Sequence, residues 1–186
     1  MDDYLKTLTT ASGRENGLKG NALYNTEIDD MMKEYYNKGF VGTFAADQFD
    51  KIPINKKKEN ISFILNLNKL KDKEGHWVAV YLKPDAVYYY DSFGEEPKKP
   101  IMDNIKNILK LWKPGNVYQL KINRIKNQRN NSSTCGYFAM KFLKDIYDGK
   151  DFKEATGFKA LENSMKGEKK LKQFIKEVKQ FDYIKS

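Results

Sequence analysis

Residues 76–94 read HWVAVYLKPDAVYYYDSFG and contain two runs of branched and aromatic residues on either side of a short polar segment. Such runs favour β-strands, and Lys83-Pro84-Asp85 is typical of a turn because proline presets its own backbone angle. The pattern predicts an antiparallel hairpin, in which residues equally distant from the turn are neighbours. His76 and Asp91 are therefore expected to meet at the open end of the hairpin.

The periodicity of the surrounding sequence predicts helices packed on a small sheet. Further strands are expected at 61–67 and at 117–124, and the second alternates apolar residues such as Leu120 with polar residues such as Asn123. A helix is expected from about Thr26, as N-cap, to Lys38-Gly39. Apolar residues at helical spacing predict other helices at about 101–112, 135–147 and 168–181. The predicted fold class is therefore α+β, with a small mixed or antiparallel central sheet packed by helices.

The chain of 186 residues is predicted to form a single domain. It is long enough to bury a core, and no repeat or Pro/Gly/Ser-rich linker divides it. Residues 1–24 are expected to be a loosely structured N-terminus, and 150–186 a helical C-terminal extension. The chain start lacks the features of a secretory signal and no apolar run is long enough to span a bilayer, so an intracellular protein without a membrane partner is expected.

Basic residues are concentrated in one part of the chain. Lysine and arginine number 34 against 25 acids, a net charge of +9, and residues 98–129 hold nine basic side chains against the single acid Asp103. Clustered positive charge is typical of proteins that bind nucleic acid or another polyanion, although most lysine-rich faces are simply solvated. The candidate nucleic-acid-binding residues are Lys106, Lys110, Lys113, Lys121, Arg124, Lys126 and Arg129.

Cys135 is the only cysteine, which excludes an intramolecular disulfide and a multi-cysteine metal site. It opens the helix predicted at 135–147, and the unpaired amides of a helix N-terminus favour a reactive thiolate. Thr134 or Ser133 is expected to cap this helix, and Gly136 to leave the backbone open to a substrate carbonyl. Because Cys135 also lies in phase with the apolar helix face, an inert buried thiol is the alternative.

Three polar residues offer Cys135 the partners that a thiol nucleophile needs. His76, the only histidine, is a candidate general base, and Asp91 is placed to hold its imidazole in one tautomer. The Gln128 side-chain amide, together with the Cys135 backbone N–H, would supply two donors to an oxyanion. Each residue also has an alternative interpretation without a catalytic role: a surface histidine, a turn aspartate and a loop glutamine. Together they predict thiol catalysis without a metal.

The order of these residues resembles that of the adenovirus-type and Ulp1-like (clan CE) cysteine proteases over about residues 25–147. The family motifs run His-Trp, then an acid or Asn, then Gln, then Cys-Gly, and they correspond here to His76-Trp77, Asp91, Gln128 and Cys135-Gly136. The resemblance implies a cysteine-protease-like fold with His76, Asp91, Gln128 and Cys135 as catalytic residues. It also implies that Trp77 roofs the substrate cleft and that Gly136 contacts the substrate; the alternative for Trp77 is core packing.

Within that family the small size, the polar loop before Cys135 and the basic excess resemble the capsid-maturation proteases of virophages and Maverick or Polinton elements. The resemblance implies cleavage of viral capsid and core precursor proteins beside small residues such as glycine, in the virion and inside the infected host cell. No cofactor is required on this reading, although DNA is a candidate activator. Two alternatives remain, a SUMO or ubiquitin-like isopeptidase of the same fold and a non-catalytic polyanion-binding module.

Overall fold

The computed structural model describes residues 23–72, 75–128, 133–156, 171–172 and 174–176. Within them, five strands form one sheet in the order β1-β2-β3-β4-β5, with β2, β3 and β4 antiparallel and each outer strand parallel to its neighbour. The α+β class with a mixed central sheet is confirmed. The strands are β1 (Phe40–Ala45), β2 (Ile61–Asn66), β3 (Trp77–Lys83), β4 (Ala86–Tyr90) and β5 (Gln119–Ile122).

The helices of the described residues are α1 (Asn25–Met31), α2 (Lys99–Trp112), α3 (Cys135–Tyr147) and α4 (Phe152–Ala155). The single helix expected from Thr26 instead starts earlier, with Tyr24 as N-cap, and gives way to 3-10 turns over Lys33–Lys38. Glu27 explains the earlier start, because its carboxylate accepts the Tyr24 backbone N–H at 3.2 Å. Residues 171–172 and 174–176 are helical, as expected for the C-terminal extension, whose remainder lies largely outside the described residues.

The two hydrophobic cores lie on opposite faces of the sheet, because successive side chains of β3 point in opposite directions. Trp77 and Ala79 belong to the core shared with α1 and α3, whereas Val78 and Val80 belong to the core shared with α2. Both faces of the central strands are therefore covered by helices. This arrangement places the N-terminus of α3 against the end of β3 that follows His76.

One feature of the fold differs from the sequence-based expectation. Strand β1 was not predicted, because Gly42 and a register irregularity between Phe40 and Thr43 interrupt its strand pattern. Of the N-terminal region expected to be loose, residues 1–22 lie outside the described residues. Leu23 is buried, and its carbonyl accepts a hydrogen bond from the Trp77 indole at 3.1 Å. No helix in the described part of the chain has the length and apolar character needed to cross a membrane.

Candidate active site

The hairpin brings His76 and Asp91 together as predicted. Strands β3 and β4 pair from Lys83↔Ala86 outward, so His76 and Asp91 lie just beyond the paired residues at the same end. The imidazole Nε2 lies 2.6 Å from Asp91 Oδ1, and the two side chains are 18% and 2% exposed. A carboxylate this close holds the ring in one orientation and tautomer.

The Asp91 carboxylate is itself held by its surroundings. Its Oδ1 accepts the Phe93 backbone N–H at 2.8 Å, in addition to the contact with His76. The Asn123 side chain clamps the Asp91 backbone, because its Oδ1 accepts the Asp91 N–H at 2.9 Å and its Nδ2 donates to the Asp91 carbonyl at 2.6 Å. The carboxylate thus has a fixed position before any substrate binds.

Asn123 is a site residue that the sequence reasoning missed. The strand expected over 117–124 is only Gln119–Ile122, so Asn123 lies past its end and turns inward, where it is 4% exposed. Leu120, expected among the apolar partners of the strand, is 42% exposed. The available signal was an asparagine directly after a strand, a position where side-chain amides commonly bond to backbone groups.

Cys135 is the first residue of α3 and is 3% exposed. Its thiol lies close enough to the His76 ring to contribute to the raised pKa of that ring. Because Nε2 of the ring bonds to Asp91, Nδ1 is the ring nitrogen that can exchange a proton with another group. The expected side-chain caps are wrong, since Thr134 makes no cap hydrogen bond and Ser133 Oγ finds no partner in the structure described. The Cys135 thiol is buried, but it is not an isolated apolar group.

The charge state of His76 follows from these two partners. Burial alone lowers the pKa of His76, but hydrogen bonds to Asp91 and Cys135, with the negative charges that both can carry, outweigh it and raise the pKa from 6.5 to about 10. These contacts favour the protonated form of the imidazole, which lies beside the Cys135 sulfur.

An aromatic ring covers one face of His76. The Phe93 ring stacks on the imidazole with centroids 4.6 Å apart and planes 20° apart. The Lys126 ammonium lies 5.1 Å from the Phe93 ring centroid. Phe93 thus shields the imidazole from water on that side and keeps its plane aligned with Asp91.

Gln128 is held against the strand end that carries Asp91. It is 1% exposed, and its Oε1 accepts the Ser92 hydroxyl at 2.6 Å. The Ser92 carbonyl also accepts the backbone N–H groups of Asn127 and Gln128, at 2.7 and 2.9 Å. The structure therefore brings Gln128 next to the residue that follows Asp91, while Arg129 lies outside the described residues.

Trp77 and Gly136 pack in the core. Trp77 is 1% exposed and packs in the core, which is the alternative given for it, while its contact with a substrate stays a prediction. Gly136 is buried beside it, and a Cβ added there would lie 3.2 Å from Leu23 Cδ1 and 3.3 Å from Trp77 Cδ1. The side of Gly136 on which a Cβ would stand is therefore filled by side chains, not open to a substrate. Glycine is needed there for close packing.

Several of the basic residues of 98–129 have their charged groups in contact with other parts of the protein. Lys106 and Lys110 are exposed on α2, whereas Arg124 forms an ion pair with Glu96. The remaining described members contact backbone or aromatic groups: Lys113 donates to the Lys56 carbonyl, Lys121 lies over Tyr88, and Lys126 lies over Phe93. Binding of a polyanion by this region stays a prediction. Among the described residues, no cluster of three His, Cys, Asp or Glu side chains is arranged to hold a metal ion.

The turn after Asp91 depends on Gly94, and we expect Gly94→Ala to destabilise the protein. Gly94 has φ +73°, and an added Cβ would lie 2.9 Å from the Ile125 carbonyl carbon and 3.0 Å from that of Arg124. The left-handed backbone costs about 1–2 kcal/mol for alanine, and overpacking adds about 1–3 kcal/mol. The free energy of unfolding in urea should therefore fall by about 2–5 kcal/mol.

Gly115→Ala is the matched control for this prediction. Gly115 has φ +82° but nothing within 4 Å of an added Cβ, so only the backbone cost of about 1–2 kcal/mol applies. If both variants lose the same free energy of unfolding, the close approach of Gly94 to residues 124–125 does not matter for stability.

The site places a thiol at a helix N-terminus near an imidazole that a buried carboxylate holds, which is the arrangement that thiol nucleophiles use in cysteine proteases. Residues 25–182 match the model of the Ulp1 protease family, C-terminal catalytic domain. The chain therefore belongs to this family.

Three proteins are similar to this chain, one in sequence and two in structure. The chain is 28% identical over 134 residues to a protein of Acanthamoeba polyphaga mimivirus that bears the name thiol protease R355, covering 63% of this chain and 44% of the relative. The ASFV pS273R protease shares the fold with a TM-score of 0.59 at 16% identity, covering 73% of this chain and 61% of that one. The Chlamydia abortus effector ChlaDUB has a TM-score of 0.50 at 16% identity, covering 66% and 59%. The chain thus spans less than two thirds of each of these proteins.

Proposed function

We propose that Cys135, His76, Asp91 and Gln128 form the catalytic site of a viral maturation endopeptidase that cleaves capsid and core precursor proteins. The observation that carries the catalytic part is the His76 ring, which bonds to the Asp91 carboxylate at 2.6 Å and lies near enough to the Cys135 thiol for the thiol to raise its pKa. This chain of contacts joins nucleophile, proton carrier and orienting carboxylate in the order that thiol catalysis requires.

In the proposed acylation step, the Cys135 thiolate attacks the carbonyl carbon of the scissile peptide bond. The oxygen of the tetrahedral intermediate takes up negative charge and is stabilised by the Gln128 amide and the Cys135 backbone N–H. When the intermediate collapses, the C–N bond breaks and the leaving amine takes the proton from Nδ1 of His76. A thioester to Cys135 and a neutral imidazole remain.

In the deacylation step, the neutral imidazole accepts a proton from water as that water attacks the thioester. The C–S bond breaks, the carboxylic acid product leaves, and the thiolate–imidazolium pair forms again. Throughout the cycle, Asp91 keeps Nε2 as the protonated nitrogen and stabilises the positive ring. Because Asp91 is buried and doubly hydrogen-bonded through Oδ1, it orients the ring without moving.

The proposed substrate class comes from similar proteins, whereas the proposed chemistry comes from the geometry of the site. The mimivirus relative supports a viral setting, and the virophage-type resemblance supports precursor proteins, cleavage beside glycine, and a location in the virion and the infected cell. The family match supports the alternative of an isopeptidase that removes a ubiquitin-like modifier after its terminal Gly-Gly.

The two substrate classes can be compared directly. We expect the enzyme to cleave a library of unstructured peptides after small residues, with a kcat/KM for the best sequence above that for SUMO and ubiquitin carrying a C-terminal fluorophore. Faster release from either modifier would reverse the assignment. Repeating both assays with and without duplex DNA tests the exposed Lys106 and Lys110 face as an activating contact, and an unchanged rate would remove DNA as an activator.

A further inference from the structure

Ser92 is a buried polar residue that the mechanism above does not use. It directly follows Asp91 and is 1% exposed, so its hydroxyl has no surface with which to meet a substrate. A buried hydroxyl needs a hydrogen-bond partner, and this one donates to Gln128 Oε1 at 2.6 Å. Its backbone carbonyl accepts two further N–H groups, those of Asn127 and Gln128, at 2.7 and 2.9 Å. Three bonds therefore join Ser92 to one short segment.

A second contact anchors the same segment from the same strand. Tyr90, two residues before Ser92, donates its hydroxyl to Asn127 Oδ1 at 2.9 Å. Side chains two residues apart in an extended chain lie on the same side, so Tyr90 and Ser92 both reach residues 127–128 while Asp91 between them faces His76. The end of β4 thus positions His76 with one residue and Gln128 with the next.

From this arrangement we propose that Ser92 is a positioning residue for the oxyanion donor, an inference that rests on the proposed role of Gln128. A side-chain amide has an acceptor end and a donor end. With Oε1 accepting from Ser92, Nε2 is the end of the amide that acts as donor, as a group that stabilises an oxyanion requires. Without the Ser92 hydroxyl the amide loses the bond that fixes its oxygen on this side, and an amide turned the other way would place its oxygen against the developing negative charge.

The test uses the full chain and a peptide substrate. We expect Ser92→Ala to lower kcat by about 10–100-fold, while KM changes by less than about threefold. This loss of kcat should not exceed the loss caused by Gln128→Ala. In the double variant the two losses should not add, so that Ser92→Ala has no further effect once Gln128 is alanine. Ser92→Thr, which keeps a hydroxyl, should recover most of the kcat.

A second measurement separates positioning from folding. Alkylation of the Cys135 thiol by iodoacetamide displaces iodide and forms no oxyanion, so its rate in Ser92→Ala should equal the wild-type rate. The proposal would be overturned if Ser92→Ala lost alkylation and cleavage in parallel, or if the losses of kcat in the double variant were additive. It would also be overturned if Ser92→Thr were as slow as Ser92→Ala. If Gln128→Ala cleaves at the wild-type rate, the oxyanion role of Gln128 falls as well, whereas inactivity of the wild-type enzyme on every peptide would count against the proposed function itself.

Discussion

Cys135→Ala is expected to abolish peptide-bond cleavage, with kcat/KM at least about 10⁴-fold below wild type. The reason is that the thiol near His76 is the only cysteine sulfur in the chain, so no neighbouring thiol can replace it. The alanine side chain fills most of the buried space, and the variant should stay folded. Initial rates on the best peptide from the library, measured beside the unfolding midpoint in urea, check both statements.

Chemical modification gives an independent control for the Cys135 prediction. Because the chain holds one cysteine, iodoacetamide modifies a single position, and one carbamidomethyl group per molecule should remove all activity. Cleavage that continues in the alanine variant, or in fully alkylated enzyme, would show that another group attacks the peptide. That result would support the alternative hypothesis of a non-catalytic polyanion-binding module.

Asp91→Asn is expected to lower kcat by about 10²–10⁴-fold with little change in fold. Asparagine can still accept the Phe93 N–H, but it carries no negative charge. The pKa of His76, raised to about 10 in the wild-type protein, should move down toward its ordinary value of 6.5. The thiolate–imidazolium pair would then be depleted at neutral pH, which the pH dependence of kcat and of iodoacetamide alkylation both measure.

Asp103→Asn is the matched control for Asp91→Asn. Asp103 is an exposed carboxylate on α2 that pairs with Lys99 at 2.7 Å, and no contact links it to His76. Removing its charge should leave kcat and the pH profile unchanged. A pH profile of Asp91→Asn that equals the wild-type profile would mean that the carboxylate does not stabilise the positive ring.

The raised pKa of His76 also predicts how the free energy of unfolding changes with pH. The folded-state pKa of His76 lies above the unfolded value, so the protonated ring stabilises the folded protein fully below about pH 6.5, and this contribution is lost as the pH rises through about 10. The gap between wild type and Asp91→Asn in free energy of unfolding should therefore narrow from about pH 6.5 to pH 10. Urea titrations across that range measure it.

Local pattern was enough to predict the parts of the site that short-range geometry controls. The turn at 83–85 sets the pairing of two strands, and that pairing brings His76 to Asp91. The helical period over 135–147 places Cys135 at the first residue of α3, as the structure does. The order of motifs along the chain then indicated the family, which the match over residues 25–182 confirms.

The periodicity of the sequence does not predict contacts between segments that are distant along the chain. The expected cleft wall of Trp77 is a core side chain because α1, α3 and Leu23 close over it, and no local pattern reports that coverage. Asn123 was read as part of a polar strand face, but β5 ends one residue earlier and the side chain turns to the Asp91 backbone. Where a strand stops depends on its neighbour, not on its own alternation.

By itself, then, the sequence determined the α+β class, the hairpin, the helix that begins at Cys135 and the meeting of His76 with Asp91, because these follow from chain geometry over fewer than twenty residues. Only the tertiary structure decided that the pKa of His76 is raised and that Ser92 holds Gln128. The first depends on contacts of the ring with Asp91 and Cys135 that outweigh the opposite effect of burial, and the second on the packing of two segments that are distant in sequence.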